Sequence, residues 1–393
     1  MSSSNVVIVG AKRTPIGSFN GAFAAVPAPS LGATAIRAAL SAAGVTPADV
    51  SEVLMGCVLP AGLGQAPARQ AALQAGIPVS TGCTTLNKVC GSGMKALMIG
   101  FDAIKAGSAD IVVAGGMESM TNAPYLLQKA RFGYRFGHSE VLDHMALDGL
   151  QNAADRKAMG EFAELCAGKY TFTREEQDAF SAESVRRALA AQANGDFADE
   201  IVAVTVAGRK GDVLVSSDEE PPACDLSKIA SLRPAFKKDG TVTAASSSKI
   251  SDGAAALVLT SAQNAAERGL TPLAQVVAHA THAQEPEWFT TAPVQAITKV
   301  LAKAGWGLDD VDLFEINEAF AVVAMAPIRE LGIDHAKVNV NGGACALGHP
   351  IGSSGARLVV TLIHALKRRG GKRGVAALCI GGGEATAVAI ELL

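Results

Sequence analysis

Ile36-Arg37-Ala38-Ala39-Leu40-Ser41-Ala42-Ala43-Gly44, running on to Asp49-Val50, returns 261 residues later as Ile297-Thr298-Lys299-Val300-Leu301-Ala302-Lys303-Ala304-Gly305, running on to Asp310-Val311. Each copy reads as an apolar-faced helix, a glycine stop and then a strand. The match extends on both sides of the chain's middle. Gly93 falls on Gly355 at a shift of 262 residues, and Gly115-Gly116 on Gly381-Gly382 at a shift of 266. The four extra residues are assigned to the basic loop from Lys367 to Arg373. Each copy alternates strand and helix, so each is expected to be a mostly parallel sheet covered by helices. A period this long is not that of a solenoid. It predicts two similar α/β halves that face one another.

Between the copies the character changes. Residues 121 to 250 hold all three tyrosines and more charge. Thr173-Arg174-Glu175-Glu176 is a capping-box pattern, predicting a helix that ends near Gly195. Ile201 to Val206 and Val213 to Val215, separated by a Gly-Arg-Lys-Gly-Asp stretch, predict a hairpin. Pro221-Pro222 breaks the pattern soon after the hairpin. The expected division is residues 1–120 with 251–271 as the first half, 121–250 as an inserted loop domain, and 272–393 as the second half. Such an insertion binds substrate, holds subunits together, or decorates the scaffold.

Composition narrows the function. Hydrophobic residues make up 49% of 393 and charged residues 18%, which suits a compact enzyme with a large core. A net charge of −3 gives no electrostatic basis for binding nucleic acid. The seven cysteines are odd in number, scattered, and form no C-x-x-C pair, so a reducing, cytoplasmic setting is expected. Met1 to Asn5 is polar and leads straight into Val6-Val7-Ile8-Val9 without a leader pattern. Glu391-Leu392-Leu393 is no peroxisomal address, and no apolar run approaches the roughly 18 residues of a membrane span.

One stretch concentrates the chemistry: Asn87-Lys88-Val89-Cys90-Gly91-Ser92-Gly93-Met94-Lys95. A strand is predicted from Thr84 to Val89. A helix comes next, with Met94, Leu97, Met98, Phe101 and Ile104 at helical spacing and Gly107 as its stop. A thiol at a helix N-terminus meets unpaired N–H groups and the dipole, which favour the reactive thiolate. A lone cysteine among apolar residues is also, and more often, an inert small hydrophobe. The same stretch contains Gly91-Ser92-Gly93-Met94-Lys95-Ala96, with Asp110 further on, which fits a dinucleotide fingerprint. That reading leaves the polar groups of the second half unexplained.

Those groups are three. Asn317-Glu318 follows a strand predicted from Val311 to Ile316 and stands where the first half has Gly56. His349 lies in a Gly-rich turn before a helix predicted from Gly355 to Lys367. Cys379 ends a strand predicted from Gly374, just before Ile380-Gly381-Gly382-Gly383. A turn histidine is more often structural, and a cysteine at a strand end more often core. Strand ends face one crevice in doubly wound sheets, however. Two facing halves would bring Cys90, Asn317, His349 and Cys379 together.

Taken together, these stretches resemble the thiolase family over essentially the whole chain. The resemblance rests on Asn87 to Lys95, Gly115 to Met120, Leu232-Arg233-Pro234-Ala235-Phe236, Asn317 to Ala321, Asn341 to Arg357 and Cys379 to Gly383. It implies a five-layered αβαβα fold of two similar halves with an inserted loop domain, and a homotetramer built as a dimer of dimers. The implied reaction is acyl transfer between coenzyme A thioesters, with no cofactor and no metal. Two acetyl-CoA would condense to acetoacetyl-CoA, or the reverse, with longer 3-ketoacyl-CoAs as the alternative. By position, Cys90 is the acyl-accepting nucleophile, His349 its base and Cys379 the second acid/base. Asn317 orients a water that forms one oxyanion hole with His349, and the N–H groups of Cys90 and Gly381 form the other. Ser248, Ala244 and Phe320 would follow the pantetheine arm. Phe236 would lie near the nucleotide, Met159 beside the arm, and Phe289 in the acyl pocket.

The reaction requires such a set. Attack on a thioester needs a thiolate with an adjacent base. Removing a proton from the acetyl methyl group needs a second positioned base and a stabilised enolate oxygen. This chain departs from the family pattern at Ala158, Pro221, Lys249, Phe289 and Cys345, which bear on coenzyme A contact and acyl-chain preference. A ketoacyl synthase would carry a second catalytic histidine where this chain has Asn317. A non-catalytic lipid- or coenzyme A-binding relative would lack the cysteines, and a nicotinamide dehydrogenase would show cofactor-dependent absorbance.

Overall fold

The computed structural model describes residues 5–393; Met1 to Ser4, the start of the polar N-terminal segment, lie outside them. The first half is built from β1 (Val6–Arg13), α1 (Ala28–Ala43), β2 (Glu52–Gly56), α2 (Pro67–Gln74), β3 (Gly82–Leu86), α3 (Ser92–Lys105) and β4 (Ile111–Ser119). The segment after β4 supplies α4 (Met159–Tyr170) and α5 (Arg174–Asn194). The chain then returns to the first sheet as β5 (Ser251–Ser261). The second half runs β6 (Ala274–Ala283), α6 (Ala292–Ala304), β7 (Leu313–Ile316), α7 (Ala321–Leu331), α8 (Ser354–Arg369), β8 (Arg373–Ile380) and β9 (Glu384–Leu392).

The repeat is present in the geometry. Helices α1 and α6 both open on a proline in the first turn and close on a left-handed glycine, Gly44 and Gly305. The strand order is β7-β8-β9-β6-β1-β5-β4-β2-β3. In each half one strand, β5 or β9, runs against the others, so the halves are mostly parallel. They join where β1 pairs antiparallel with β6 at Val6–Val276.

One part of the expected register is corrected. Val53 pairs with Val113 in the first half and Phe314 with Val375 in the second, so the offset at the last shared strand is 262 rather than 266. Gly115 and Gly116 sit inside β4, whereas Gly381 and Gly382 form the turn after β8. Helix α8 is longer than α3, and the loop after it is correspondingly shorter, so no four-residue insertion is needed.

Alternation along the strands makes the layers. Val6 and Ile8 of β1 point inward with Leu378, Val388 and Ile390 to a core shared with Leu97 and Met98 of α3 and Leu358 and Leu362 of α8. Val7 and Val9 point outward onto α1 and α2. Val375 and Ala377 point outward onto α6 and α7. The result is helix, sheet, helix, sheet, helix.

Helices α3 and α8 approach closely because glycines face each other. A Cβ on Gly93 would lie 2.8 Å from the Ala356 nitrogen, and one on Gly355 would lie 2.4 Å from that of Met94. These glycines therefore serve helix contact, which accounts for the apparent dinucleotide fingerprint in another way.

The inserted segment obeys its local signals. Thr173 caps α5 with both bonds of the capping box, and Gly195 closes it at φ 72°. Val204–Val206 pairs with Val213–Val215 as a hairpin. Buried Arg13 of β1 fastens the segment to the body through Glu200, at 2.6 Å, and Asp218, at 2.7 Å. Among the described residues no helix is long and apolar enough to cross a membrane.

Candidate active site

Cys90 stands in the turn between β3 and α3. The predicted strand to Val89 stops at Leu86, because Val89 is left-handed at φ 46°. That conformation is costly for a β-branched residue and is held by its surroundings. Val89 N–H donates to Asn87 Oδ1 at 2.8 Å. The Ser92 hydroxyl accepts from Lys88 N–H at 2.8 Å and donates to the Val89 carbonyl at 2.6 Å. Lys88 pairs with Glu384 at the start of β9. Gly91 lies against the end of β8, where a Cβ would come within 2.4 Å of Ile380. The nucleophile candidate of one half is thereby pressed on a strand end of the other.

His349 lies on the loop before α8, pinned on both sides by buried carboxylates. Upstream, Glu318 accepts from Ser184 Oγ of α5 at 2.7 Å, Asn339 Nδ2 at 2.8 Å and Cys345 N–H at 3.1 Å. Downstream, Glu118 of β4 accepts from Gly352 N–H at 2.9 Å, Val58 N–H at 3.0 Å and Leu59 N–H at 3.1 Å. The His349 N–H donates to the Lys249 carbonyl at 3.0 Å. Its ring is oriented at both nitrogens. Nδ1 is 2.6 Å from Ser354 Oγ, and that hydroxyl donates to the Pro350 carbonyl at 3.0 Å. Nε2 is 3.4 Å from Asn317 Nδ2. Asn317 Oδ1 is buried and unpartnered by protein.

Electrostatics set the protonation states. Burial, aided by the Arg357 charge, lowers His349 to about 3, so the ring is a neutral base at ordinary pH. Burial pushes the Cys90 thiol up to about 11, opposed by hydrogen bonds from the Gly381 and Cys90 N–H groups. The helix N-terminus therefore does not by itself make a free thiolate. A neutral thiol and a neutral imidazole are the resting forms. The two opposing N–H groups are the pair expected to form an oxyanion hole. Cys379 is fully buried with Ala377 and Ala385, and desolvation, then the neighbouring Cys90, holds its thiol well above the usual range.

A cavity of about 310 Å³ opens beside His349. Met159, Phe236, Ser248 and Phe320 line it, with Met120, Leu150 and Ile351 as its apolar end. An adjoining cavity of about 320 Å³ is lined by Ala244, and Lys249 lines both; the cavity beside His349 is called inner and its neighbour outer. Phe289 is not in either; it is buried edge-on against Phe162 at 6.3 Å. Ala158 lines the inner cavity at the start of α4, Pro221 is buried, and Cys345 faces the outer cavity. Among the described residues no group of three or more His, Cys, Asp or Glu is arranged to hold a metal ion.

Two residues of this site were not picked out from sequence: Ser354 and Glu118. Ser354 carries the one legible signal, a hydroxyl in the first turn after a Gly-flanked histidine. Glu118 gave none, because the N–H groups it holds belong to distant segments, and Glu318 is legible only as the polar neighbour of Asn317.

Fold and site together define a thiolase. The family model for the thiolase N-terminal domain matches residues 6–263, and that for the C-terminal domain matches residues 270–392. The chain belongs to the thiolase family. It is 55% identical over 388 residues to an acetyl-CoA acetyltransferase of Chromobacterium violaceum, covering 98% of this chain and 99% of that one. It is 54% identical over 392 residues to acetyl-CoA acetyltransferase 2 of Arabidopsis thaliana, covering 99% and 97%. The crystal structure of the Bacillus anthracis acetyl-CoA acetyltransferase superposes with a TM-score of 0.97 at 44% identity, covering 99% of each chain.

Proposed function

We infer that the protein is an acetyl-CoA C-acetyltransferase, condensing two acetyl-CoA to acetoacetyl-CoA and coenzyme A, or running the reverse thiolysis. The names of relatives at 50–55% identity support this assignment. The observation that carries the mechanism is the neutral His349 ring, oriented at both nitrogens, together with a Cys90 thiol under the Gly381 N–H and beside Cys379.

Cys90 attacks the thioester carbonyl as its proton passes to His349 Nε2. The coenzyme A thiolate leaves and takes the proton of Cys379, giving acetyl-Cys90, an Nε2-protonated His349 and a Cys379 thiolate. Cys379 then takes a methyl proton from the second acetyl-CoA. The resulting enolate, with its oxygen held by His349 and an Asn317-bound water, attacks acetyl-Cys90. The tetrahedral oxyanion rests on the N–H groups of Cys90 and Gly381. Its collapse releases acetoacetyl-CoA and the Cys90 thiolate, which recovers its proton from His349, leaving Cys379 a thiol again. No cofactor takes part.

Ser248, Ala244, Met159, Phe236 and Phe320 hold the coenzyme A arm. The assembly is a tetramer, a dimer of dimers. The exposed Phe132, Tyr134 and Phe136 in the arm between Tyr125 and Leu142 suit a subunit contact. Seven free thiols suit a reducing cytoplasm. A coenzyme A-dependent thiolysis assay, comparing acetoacetyl-CoA with longer 3-ketoacyl-CoAs, tests the assignment. Preference for the longer chains would make the protein a 3-ketoacyl-CoA thiolase instead.

A further inference from the structure

We propose that Lys249 is a substrate-positioning residue whose ammonium group binds the phosphate nearest the pantetheine arm of the acyl-CoA. The proposal rests on the coenzyme A thioester reading of the site.

Lys249 occupies the junction of the two cavities. Its backbone carbonyl holds the N–H of His349, which fixes its start beside the chemistry. Its side chain lines both the inner cavity and the outer one. The ammonium bonds the Ala244 carbonyl at 2.5 Å, a neutral acceptor. Among the described residues it joins no ion pair. Lys249 shares the wall of the outer cavity with Cys224 and Cys345. The other charged groups around the outer cavity are Glu220, Asp225 and Lys228, and Asp225 is taken by Lys228 at 3.2 Å.

An arm that runs from the inner cavity into the outer one passes this ammonium, since Lys249 is the residue the two linings share. A cation bonded only to a carbonyl is readily redirected to a phosphate oxygen, where a charge-assisted bond is stronger. The competing role is a brace. The bond to Ala244 closes the loop that also carries Ser248, and closure alone would help any ligand of the groove.

Truncated substrates separate these roles. K249M removes the charge, and K249R keeps it. Initial rates are measured with acetyl-CoA, S-acetyl-4′-phosphopantetheine and S-acetyl-pantetheine. For K249M, KM is expected to rise about tenfold with the first two, the size of one charge-assisted hydrogen bond, and to stay within about twofold with the third. The salt dependence of KM for acetyl-CoA should flatten in K249M and persist in K249R. An equal rise with all three substrates, or no rise with any, overturns the proposal. Calorimetric titration of wild type and K249M with free coenzyme A and with pantetheine reads the same preference without turnover. A wild type that binds coenzyme A through Lys249 but does not turn over acetyl-CoA refutes the proposed reaction and leaves the Lys249 assignment standing.

Discussion

The His349 Nδ1 and the Ser354 hydroxyl are 2.6 Å apart, and the hydroxyl is itself committed to the Pro350 carbonyl. Nδ1 must therefore be the protonated nitrogen, which leaves Nε2 free to accept a proton. Replacing Ser354 with alanine releases the ring without touching the reacting atoms. S354A is expected to lower kcat for condensation by roughly tenfold to a hundredfold, the range for losing a partner that orients a histidine. Because His349 is held neutral down to about 3, the kcat/KM profile of wild type should show no ionisation near 6.5. A clear acid limb there would contradict the assignment of the ring as a buried neutral base.

The two cysteines should fail at different steps. C90A is expected to abolish acetyl-enzyme formation and condensation alike. C379A should still gain one acetyl group on Cys90, while deuterium exchange into the acetyl-CoA methyl group nearly disappears. Removing a general base costs about 10²–10⁴ in rate. Mass spectrometry after mixing with acetyl-CoA, together with the exchange measurement, checks both. Normal exchange in C379A would assign the second base to another residue.

Stability should fall on the alkaline side. Burial raises Glu118 to about 7 and Glu315 to about 8, both from 4.5. Between about 4.5 and those values the folded protein keeps protons that the unfolded chain has released. The stabilisation these groups give is complete below the unfolded value and is lost as pH rises through the folded one. Calorimetric scans at constant ionic strength should give a lower Tm at pH 8.5 than at pH 6. A Tm that rises over this interval would mean that neither carboxyl holds a proton in the native state.

The arm between Tyr125 and Leu142 should decide the assembly. Its hairpin base pairs Tyr125 with Asp143 and leaves Phe132 and Phe136 exposed. Sedimentation of the wild type is expected to give four times the 40.0 kDa chain mass. Replacing both phenylalanines with serine should give the dimer with its fold intact by circular dichroism. A wild type sedimenting at the mass of one chain would refute the tetramer.

The halves were legible because their helices announce themselves: proline in the first turn, an apolar stripe, then a left-handed glycine at Gly44 and Gly305. The capping box at Thr173 was equally local. The failure at Gly115-Gly116 has a physical cause. Glycine in β4 answers to crowding, since a Cβ on Gly116 would lie 2.0 Å from the Gly352 carbonyl. Glycine after β8 answers to a turn, with Gly382 at φ 94°. One residue type met two demands, and matching by identity conflated them. Cys90, Cys379 and Asn317 stood out as polar groups at strand ends, and His349 as one in a Gly-rich turn before a helix. Glu118 did not, because a carboxylate that gathers N–H groups from remote segments leaves no mark on its own neighbourhood.

The left-handed Val89 bears on how the enzyme fails under stress. Its backbone carries about 1–3 kcal/mol of unfavourable conformation, retained only while Asn87, Ser92 and the end of β8 hold the turn. Slight parting of the halves lets this turn relax toward an ordinary conformation, carrying the thiol away from the Gly381 N–H before any helix melts. In rising urea, catalytic rate should vanish ahead of ellipticity and return promptly on dilution. Inactivation is then an early, reversible event, distinct from collapse of the fold.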